Sequence, residues 1–152
     1  NEFNDTHFNN DWLEIVLVSY NLKTHEFNYA TAGGEFAIYQ HDEIKIHKGN
    51  NYPIGGWQIE KNRTFNSYKV TLDKDAKLYF FTDGIKHQFN DTNNKKFSRK
   101  KLIDLLLSSS NLSMPNQKNH INVLFDLWKG NTPQTDDISL VGIELKTMLR
   151  QC

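Results

Sequence analysis

The chain has 152 residues with 18 basic and 18 acidic side chains, so its formal net charge is zero. This length is that of one ordinary domain, and 38% hydrophobic residues, with 12% aromatic residues, are enough for a core, which excludes a wholly disordered chain. The balanced charge argues against nucleic acid or an anionic membrane as the main partner, because both are bound by a positive surface.

Short strands joined by tight turns are predicted for the first half of the chain. Residues 1–11 show no period and are predicted to be a frayed entry. Apolar or alternating stretches predict strands over residues 12–20, 26–31, 35–40, 43–47, 64–72 and 77–82. The first of these is almost continuously apolar, so we expect a buried strand with Trp12 in the core. The connections are too short for parallel crossovers, so the pairing is predicted to be antiparallel.

Helices follow these strands. Ser98 is predicted to cap a helix with its apolar stripe on residues 102–106, and a second helix is predicted over residues 116–128, ended by Gly130. Trp128 is expected in the core. Residues 138–145 predict a final strand, and residues 146–152 a tail. Strands, then helices, then a strand predict an α+β fold, with residues 12–145 as one domain.

Two short acidic loops are the candidates for chemistry. Asp83 and Gly84 come directly after the strand predicted over residues 77–82, and Asp136 and Asp137 come directly before the last predicted strand. Carboxylates at strand ends suit a hard cation such as Mg²⁺, which usually takes one or two carboxylates and keeps several waters. Taken separately, each loop is better explained as a turn, because Asp-Gly is a common turn dipeptide and Asp binds its own backbone in turns.

The order of the short motifs decides between these two interpretations. Along the chain come a small-residue turn, a Pro-Ile-Gly-Gly loop, a Thr-Asp-Gly-Ile strand end and a closing Asp-Asp-Ile-Ser segment, at residues 32–34, 53–56, 82–85 and 136–139. This order resembles the C-terminal part of the bacterial phosphatase domains named after sporulation stage II protein E, a branch of the phosphatase 2C-like family. The resemblance covers about residues 11–145.

The resemblance implies an antiparallel β-sandwich flanked by helices and a pair of Mn²⁺ or Mg²⁺ ions that activate a water against a phosphoserine or phosphothreonine. By position, Asp83 and Asp136 match metal-binding aspartates of the family, and Gly84 matches the glycine beside the metal. Asp137 matches a loop-shaping position. His87 lies four residues after Asp83, where it could face the metal or the phosphate; the alternative is a surface residue of a loop.

Departures from the family pattern matter as much as the matches. The family's bridging Asp-Gly and Gly-Asp motifs, with the N-terminal strands and helices that carry them, have no counterpart in this chain, which opens at Asn1 without methionine. His87 also replaces a common acidic residue. We therefore expect a piece of a larger phosphatase domain, with little activity alone and with exposed strands that favour a homodimer or strand exchange.

The resemblance also implies the partner, a phosphoprotein substrate such as an anti-sigma-factor antagonist. A single cysteine, Cys152, excludes an internal disulfide and fits a cytoplasmic location. No apolar run reaches the roughly 18 residues of a membrane span, so we expect no membrane contact. Two alternatives stay open: a non-catalytic regulatory or protein-binding module that retains the fold without a complete metal site, and an unrelated small β-module in which Asp83 and Asp136 lie far apart.

Overall fold

The computed structural model describes residues 11–56 and 62–148. Nearly all of the predicted frayed entry, residues 1–11, and most of the predicted tail, residues 146–152, lie outside the described residues. The described residues divide into two compact units: the first holds residues 11–35, 48–56 and 62–71, and the second holds residues 36–47 and 72–148.

Strands dominate the first half of the described chain and helices become frequent after residue 83. The elements in chain order are β1 Trp12–Leu13, β2 Ile15–Tyr20, β3 Glu26–Ala32, β4 Glu35–Gln40, β5 Glu43–Lys48, β6 Ile54–Gly55, β7 Tyr68–Thr71, β8 Lys77–Phe81, α1 Gly84–His87, α2 Ser98–Ser108, α3 Met114–Lys129, β9 Leu140–Glu144 and α4 Leu145–Met148. The sheets are antiparallel where their pairing is described, which confirms the predicted α+β class.

The first unit contains two small sheets. β1 pairs with β6, and β2, β3 and β7 form a three-stranded sheet in that order. The turn between β2 and β3 is held by the Asn21 side chain, whose Oδ1 accepts hydrogen bonds from the backbone N–H groups of Lys23 and Thr24. An asparagine that binds its own backbone in this way is typical of tight turns.

The prediction of one buried strand over residues 12–20 is wrong in two respects. The strand is interrupted at Glu14, and its apolar residues are largely exposed: Trp12 is 60% and Leu17 is 64% exposed. Apolar composition makes burial favourable, but burial also needs a second layer of protein against the strand. Within the described residues no such layer covers Trp12 or Leu17, so Trp12 is not a core residue.

The second unit is a four-stranded sheet, in the order β5, β4, β8 and β9, with helices packed on it. Its core cluster joins the sheet to α2 and α3 through buried residues of both, which are Ala37, Tyr79, Ile85, Phe97, Leu102, Leu105, Leu106 and Ile121. Trp128 packs against this cluster but is only partly buried, so it lies at the margin of the core and not within it as predicted. Ser98 is the first residue of helix α2 and not its predicted cap, since the N-cap position falls on Phe97; α3 begins two residues earlier than predicted. None of the helices in the described part of the chain is both long and apolar enough to span a membrane.

A buried polar chain crosses this core. The Tyr79 hydroxyl donates to Oε1 of Gln117 at 3.1 Å, and Nε2 of Gln117 donates to the Ser109 hydroxyl at 3.1 Å. Tyr79 is 1% exposed. Burial disfavours the charged phenolate and raises the pKa of Tyr79 to about 12.

Replacing Tyr79 with phenylalanine should therefore change how stability responds to alkaline pH. The pKa of Tyr79 is higher in the folded state than in the unfolded state, so the neutral phenol stabilises the fold fully below about pH 10. As the pH rises from about 10 to about 12, the free energy of unfolding should fall by roughly 2 to 3 kcal/mol. Y79F lacks this loss, although at neutral pH it leaves Oε1 of Gln117 unpaired at a cost of about 1 to 3 kcal/mol. Urea unfolding of both proteins at pH 8 and pH 11.5 measures the two effects. Equal pH dependence in the two proteins would contradict the prediction.

Candidate functional site

The register of two neighbouring strands brings the acidic loops together. β8 and β9 are antiparallel, and Phe81 at the end of β8 pairs with Leu140 at the start of β9. Asp83, just after β8, therefore lies at the same end of the two strands as Asp136 and Asp137, which come just before β9. The condition that the sequence left open, that the two loops meet, is satisfied by this pairing.

Thr82 extends the pairing beyond the last strand residues. Its Oγ1 donates to the carbonyl oxygen of Asp137 at 2.9 Å and accepts from the N–H of Ser139 at 2.9 Å. Its own N–H donates to the carbonyl of Ser139 at 3.1 Å. Thr82 thus links the two acidic segments, a role that the sequence analysis did not assign. The available signal was a hydroxyl residue at a strand end directly before Asp-Gly.

Gly84 lies directly against the other acidic segment. A Cβ atom added to Gly84 would stand 2.4 Å from the carbonyl oxygen of Asp137 and 3.3 Å from Cβ of Asp136. Real Cβ atoms do not approach a backbone oxygen so closely, so only glycine fits here. The sequence predicted a close approach at Gly84, and the group that approaches it is the segment that carries Asp136.

The Asp83-Gly84 segment begins a short helix, whereas the sequence offered a turn as the alternative to a metal site at this position. The N–H groups of Lys86 and His87 donate to the carbonyl oxygen of Asp83 at 2.9 and 3.2 Å, and these bonds close the single turn of α1. Asp83 occupies the N-cap position of α1 without a capping bond from its side chain. The Asp83 side chain is 55% exposed.

His87 lies one helical turn after Asp83. Its Nδ1 is 3.6 Å from Oδ2 of Asp83, and both side chains are about half exposed. The imidazole is therefore beside the carboxylate of Asp83, on an exposed surface. His87 is thus a surface residue of a short helix, and a role toward a metal or phosphate stays a prediction.

Asp136 and Asp137 make different hydrogen bonds: the Asp136 carboxylate takes part in one, whereas Asp137 takes part through its backbone. Oδ1 of Asp136 accepts from the N–H of Asp137 at 2.7 Å, and the carbonyl oxygen of Asp136 accepts from Nε2 of Gln134 at 2.8 Å. Asp137 contributes its backbone N–H and, through Thr82, its carbonyl oxygen. The Asp136 carboxylate is thereby oriented by the loop, and the backbone of Asp137 shapes that loop.

The donor set suits part of a metal centre. Asp83 and Asp136 supply carboxylate oxygens from adjoining segments, and Mg²⁺ is commonly bound by one or two carboxylates together with waters. No group of three or more His, Cys, Asp or Glu side chains within residues 11–56 and 62–148 is arranged to hold a metal ion. The described residues therefore fit a hard divalent cation as a partial ligand set.

Comparison with known proteins relates this arrangement to a family. The family model described as Stage II sporulation protein E (SpoIIE) matches residues 1–146. No curated protein sequence resembles the chain closely enough to count as a match.

Solved structures share the fold at low sequence identity. The SiaA-PP2C domain of Pseudomonas aeruginosa has a TM-score of 0.79 at 20% identity, over 88% of this chain and 52% of that one. The phosphatase domain of SpoIIE from Bacillus subtilis has a TM-score of 0.62 at 10% identity, over 87% and 58%. RsbX in complex with magnesium has a TM-score of 0.51 at 16% identity, over 86% and 55%. The chain thus spans little more than half the length of these three structures.

Proposed function

The chain belongs to the Stage II sporulation protein E (SpoIIE) family, and we propose that it is part of a metal-dependent serine/threonine protein phosphatase. The observation that carries the proposal is the contact between the Asp83-Gly84 segment and the Asp136-Asp137 segment where β8 ends and β9 begins. Family membership excludes the unrelated β-module. The shared fold of the three solved structures supports the phosphatase 2C-like assignment.

We infer that Asp83 and Asp136 are ligands for Mn²⁺ or Mg²⁺. When bound, such an ion supplies a water that loses its proton near neutral pH and a positive charge for the phosphate oxygens. Gly84 lets the two ligand segments approach, and the backbone of Asp137 holds the loop of Asp136 in place. We infer that His87, which lies beside Asp83, contacts the phosphate or a water in this site.

The substrate that we propose is a phosphoserine of a regulatory phosphoprotein, such as an anti-sigma-factor antagonist, which the family resemblance suggests. The neutral net charge fits this assignment, since a metal centre and not a broadly basic surface would attract the phosphate. The single cysteine is consistent with the cytoplasmic location that we assign.

A homodimer is part of the same proposal. β2 is an edge strand of its sheet within the described residues, and its Leu17 side chain is 64% exposed. An edge strand with apolar side chains favours pairing with a strand of another chain. We therefore expect the mass measured by light scattering to rise with protein concentration, and a constant monomer mass would contradict this expectation.

We also propose that these 152 residues alone have little phosphatase activity. A two-metal centre needs bridging ligands, and the described residues provide only a partial ligand set. The second candidate, a non-catalytic protein-binding module of the family, rests on this same observation. The two candidates differ in whether Asp83 and Asp136 bind a divalent cation.

One experiment with two measurements tests the proposed function. Titration of Mn²⁺ into the ¹⁵N-labelled chain should broaden the amide signals of Asp83, Gly84, Asp136 and Asp137 before all others, because broadening by a paramagnetic ion falls steeply with distance. Hydrolysis of p-nitrophenyl phosphate under the same conditions should stay close to the rate without protein. If these four signals do not broaden, the result would support the non-catalytic module. Rapid Mn²⁺-dependent hydrolysis would contradict the proposed inactivity.

A further inference from the structure

Gln88 is a fully buried polar residue at the end of the helix that starts at Asp83. Its side chain is 0% exposed, and its backbone N–H donates to the carbonyl of Gly84 at 3.0 Å. Its carbonyl accepts from the N–H of Phe97 at 2.8 Å. The backbone of Gln88 is thus held on both sides, which leaves the side-chain amide in a defined place.

The amide of Gln88 joins the two halves of the candidate site. Nε2 donates to the carbonyl oxygens of Phe89 and Pro133, both at 3.0 Å. Pro133 belongs to the loop that leads to Asp136, three residues later. Gln88 therefore makes a second connection between the Asp83 helix and the Asp136 loop, separate from the one made by Thr82.

The orientation of this amide follows from its neighbours. Both nearby groups are carbonyl oxygens, which need a donor, so the NH₂ group must face them. Within the described residues, Oε1 of Gln88 is then buried without a hydrogen-bond partner. The two bonds that the NH₂ group donates are therefore what holds this side chain in place, since its oxygen has no partner among the described residues.

We propose that Gln88 is a positioning residue, which holds the Asp136 loop against the Asp83 helix so that the two carboxylates can bind one cation site. This inference rests on the proposed function. Groups that orient metal ligands typically change metal affinity by about 10- to 100-fold when removed. We expect an effect of that size from Gln88, although it does not touch the cation.

The test compares two buried glutamines of the same unit. Gln88→Met keeps a similar volume but leaves the carbonyl oxygens of Phe89 and Pro133 without this donor, so the midpoint of urea unfolding should fall, as it should in the control below. Its Mn²⁺ dissociation constant, measured by water proton relaxation, should rise by about tenfold or more. Gln117→Met is the matched control. It disrupts the Tyr79 chain and should lower the unfolding midpoint while leaving the Mn²⁺ affinity unchanged.

Each outcome distinguishes the inference from the proposed function. If the wild type binds Mn²⁺ at Asp83 and Asp136 and Q88M binds it equally well, the positioning role is wrong and the proposed function stands. If the wild type shows no binding there, the proposed function fails, and the inference fails with it.

A second measurement needs no variant. On addition of Mg²⁺, the side-chain NH₂ signals of Gln88 should shift together with the amide signals of Asp83 and Asp136. Unchanged Gln88 side-chain signals during such a shift would overturn the inference, even if Q88M does not fold.

Discussion

Alanine in place of Gly84 should lower the free energy of unfolding by about 3 kcal/mol, at the upper end of overpacking effects. The added Cβ would meet the Asp137 carbonyl oxygen at 2.4 Å, and that oxygen is backbone held by the Thr82 hydroxyl. It cannot move without breaking the link between the two acidic segments. Urea unfolding measures the stability, and the Mn²⁺ titration of the same variant should show weaker broadening at Asp83 and Asp136.

Gly142→Ala is the matched control for this substitution. A Cβ at Gly142 would come 3.1 Å from the sulfur of Met114, the far end of a flexible side chain that can shift. Gly142 also lies in β9, where alanine restricts the unfolded chain more than glycine does. We expect a change below about 1 kcal/mol for G142A. Equal losses in G84A and G142A would show that contact with the Asp137 backbone is not what requires glycine at position 84.

Two single substitutions, Asp83→Asn and Asp136→Asn, should each raise the Mn²⁺ dissociation constant by more than tenfold. The substitution keeps the size of the side chain but removes the negative charge that favours a hard cation. Loss of groups that only orient metal ligands already costs about 10- to 100-fold in affinity, so loss of a ligand should cost at least as much. Water proton relaxation during Mn²⁺ titration measures the constant.

Asp104→Asn controls for the general loss of a negative charge. Asp104 is an exposed residue of α2 and takes no part in the contact between the acidic segments. D104N should bind Mn²⁺ as the wild type does and unfold at the same urea concentration. If D104N weakens binding as much as D83N, the cation is attracted by overall charge and not by a site at Asp83 and Asp136.

Much of the secondary structure could be predicted because it depends on local sequence. β4 has the predicted bounds, β3 differs by one residue, and α2 begins within one residue of its predicted start. These elements are specified by alternation, helical spacing and turn residues that lie within a few positions of each other. The family was also predicted, from the order of four short motifs, and the SpoIIE match over residues 1–146 confirms it.

Burial could not be predicted in the same way. The apolar run around Trp12 and Leu17 indicated a core strand, yet both side chains are more than half exposed. A strand's composition shows which side chains would gain from burial, whereas their exposure depends on which other elements cover them. The same limit applies to Gln88, whose sequence neighbourhood contains no sign of a buried amide between two carbonyls.

By itself, the sequence determined which residues could act and where each lies on its strand: Asp83 follows an apolar strand, and Asp136 precedes another. Only the tertiary structure decided that these two strands are neighbours and that Phe81 pairs with Leu140. The physical reason is the sequence distance. The choice of partner between strands more than fifty residues apart depends on the packing of everything between them, and no local pattern encodes it. That pairing places Gly84 against Asp137 and brings the two acidic segments into contact.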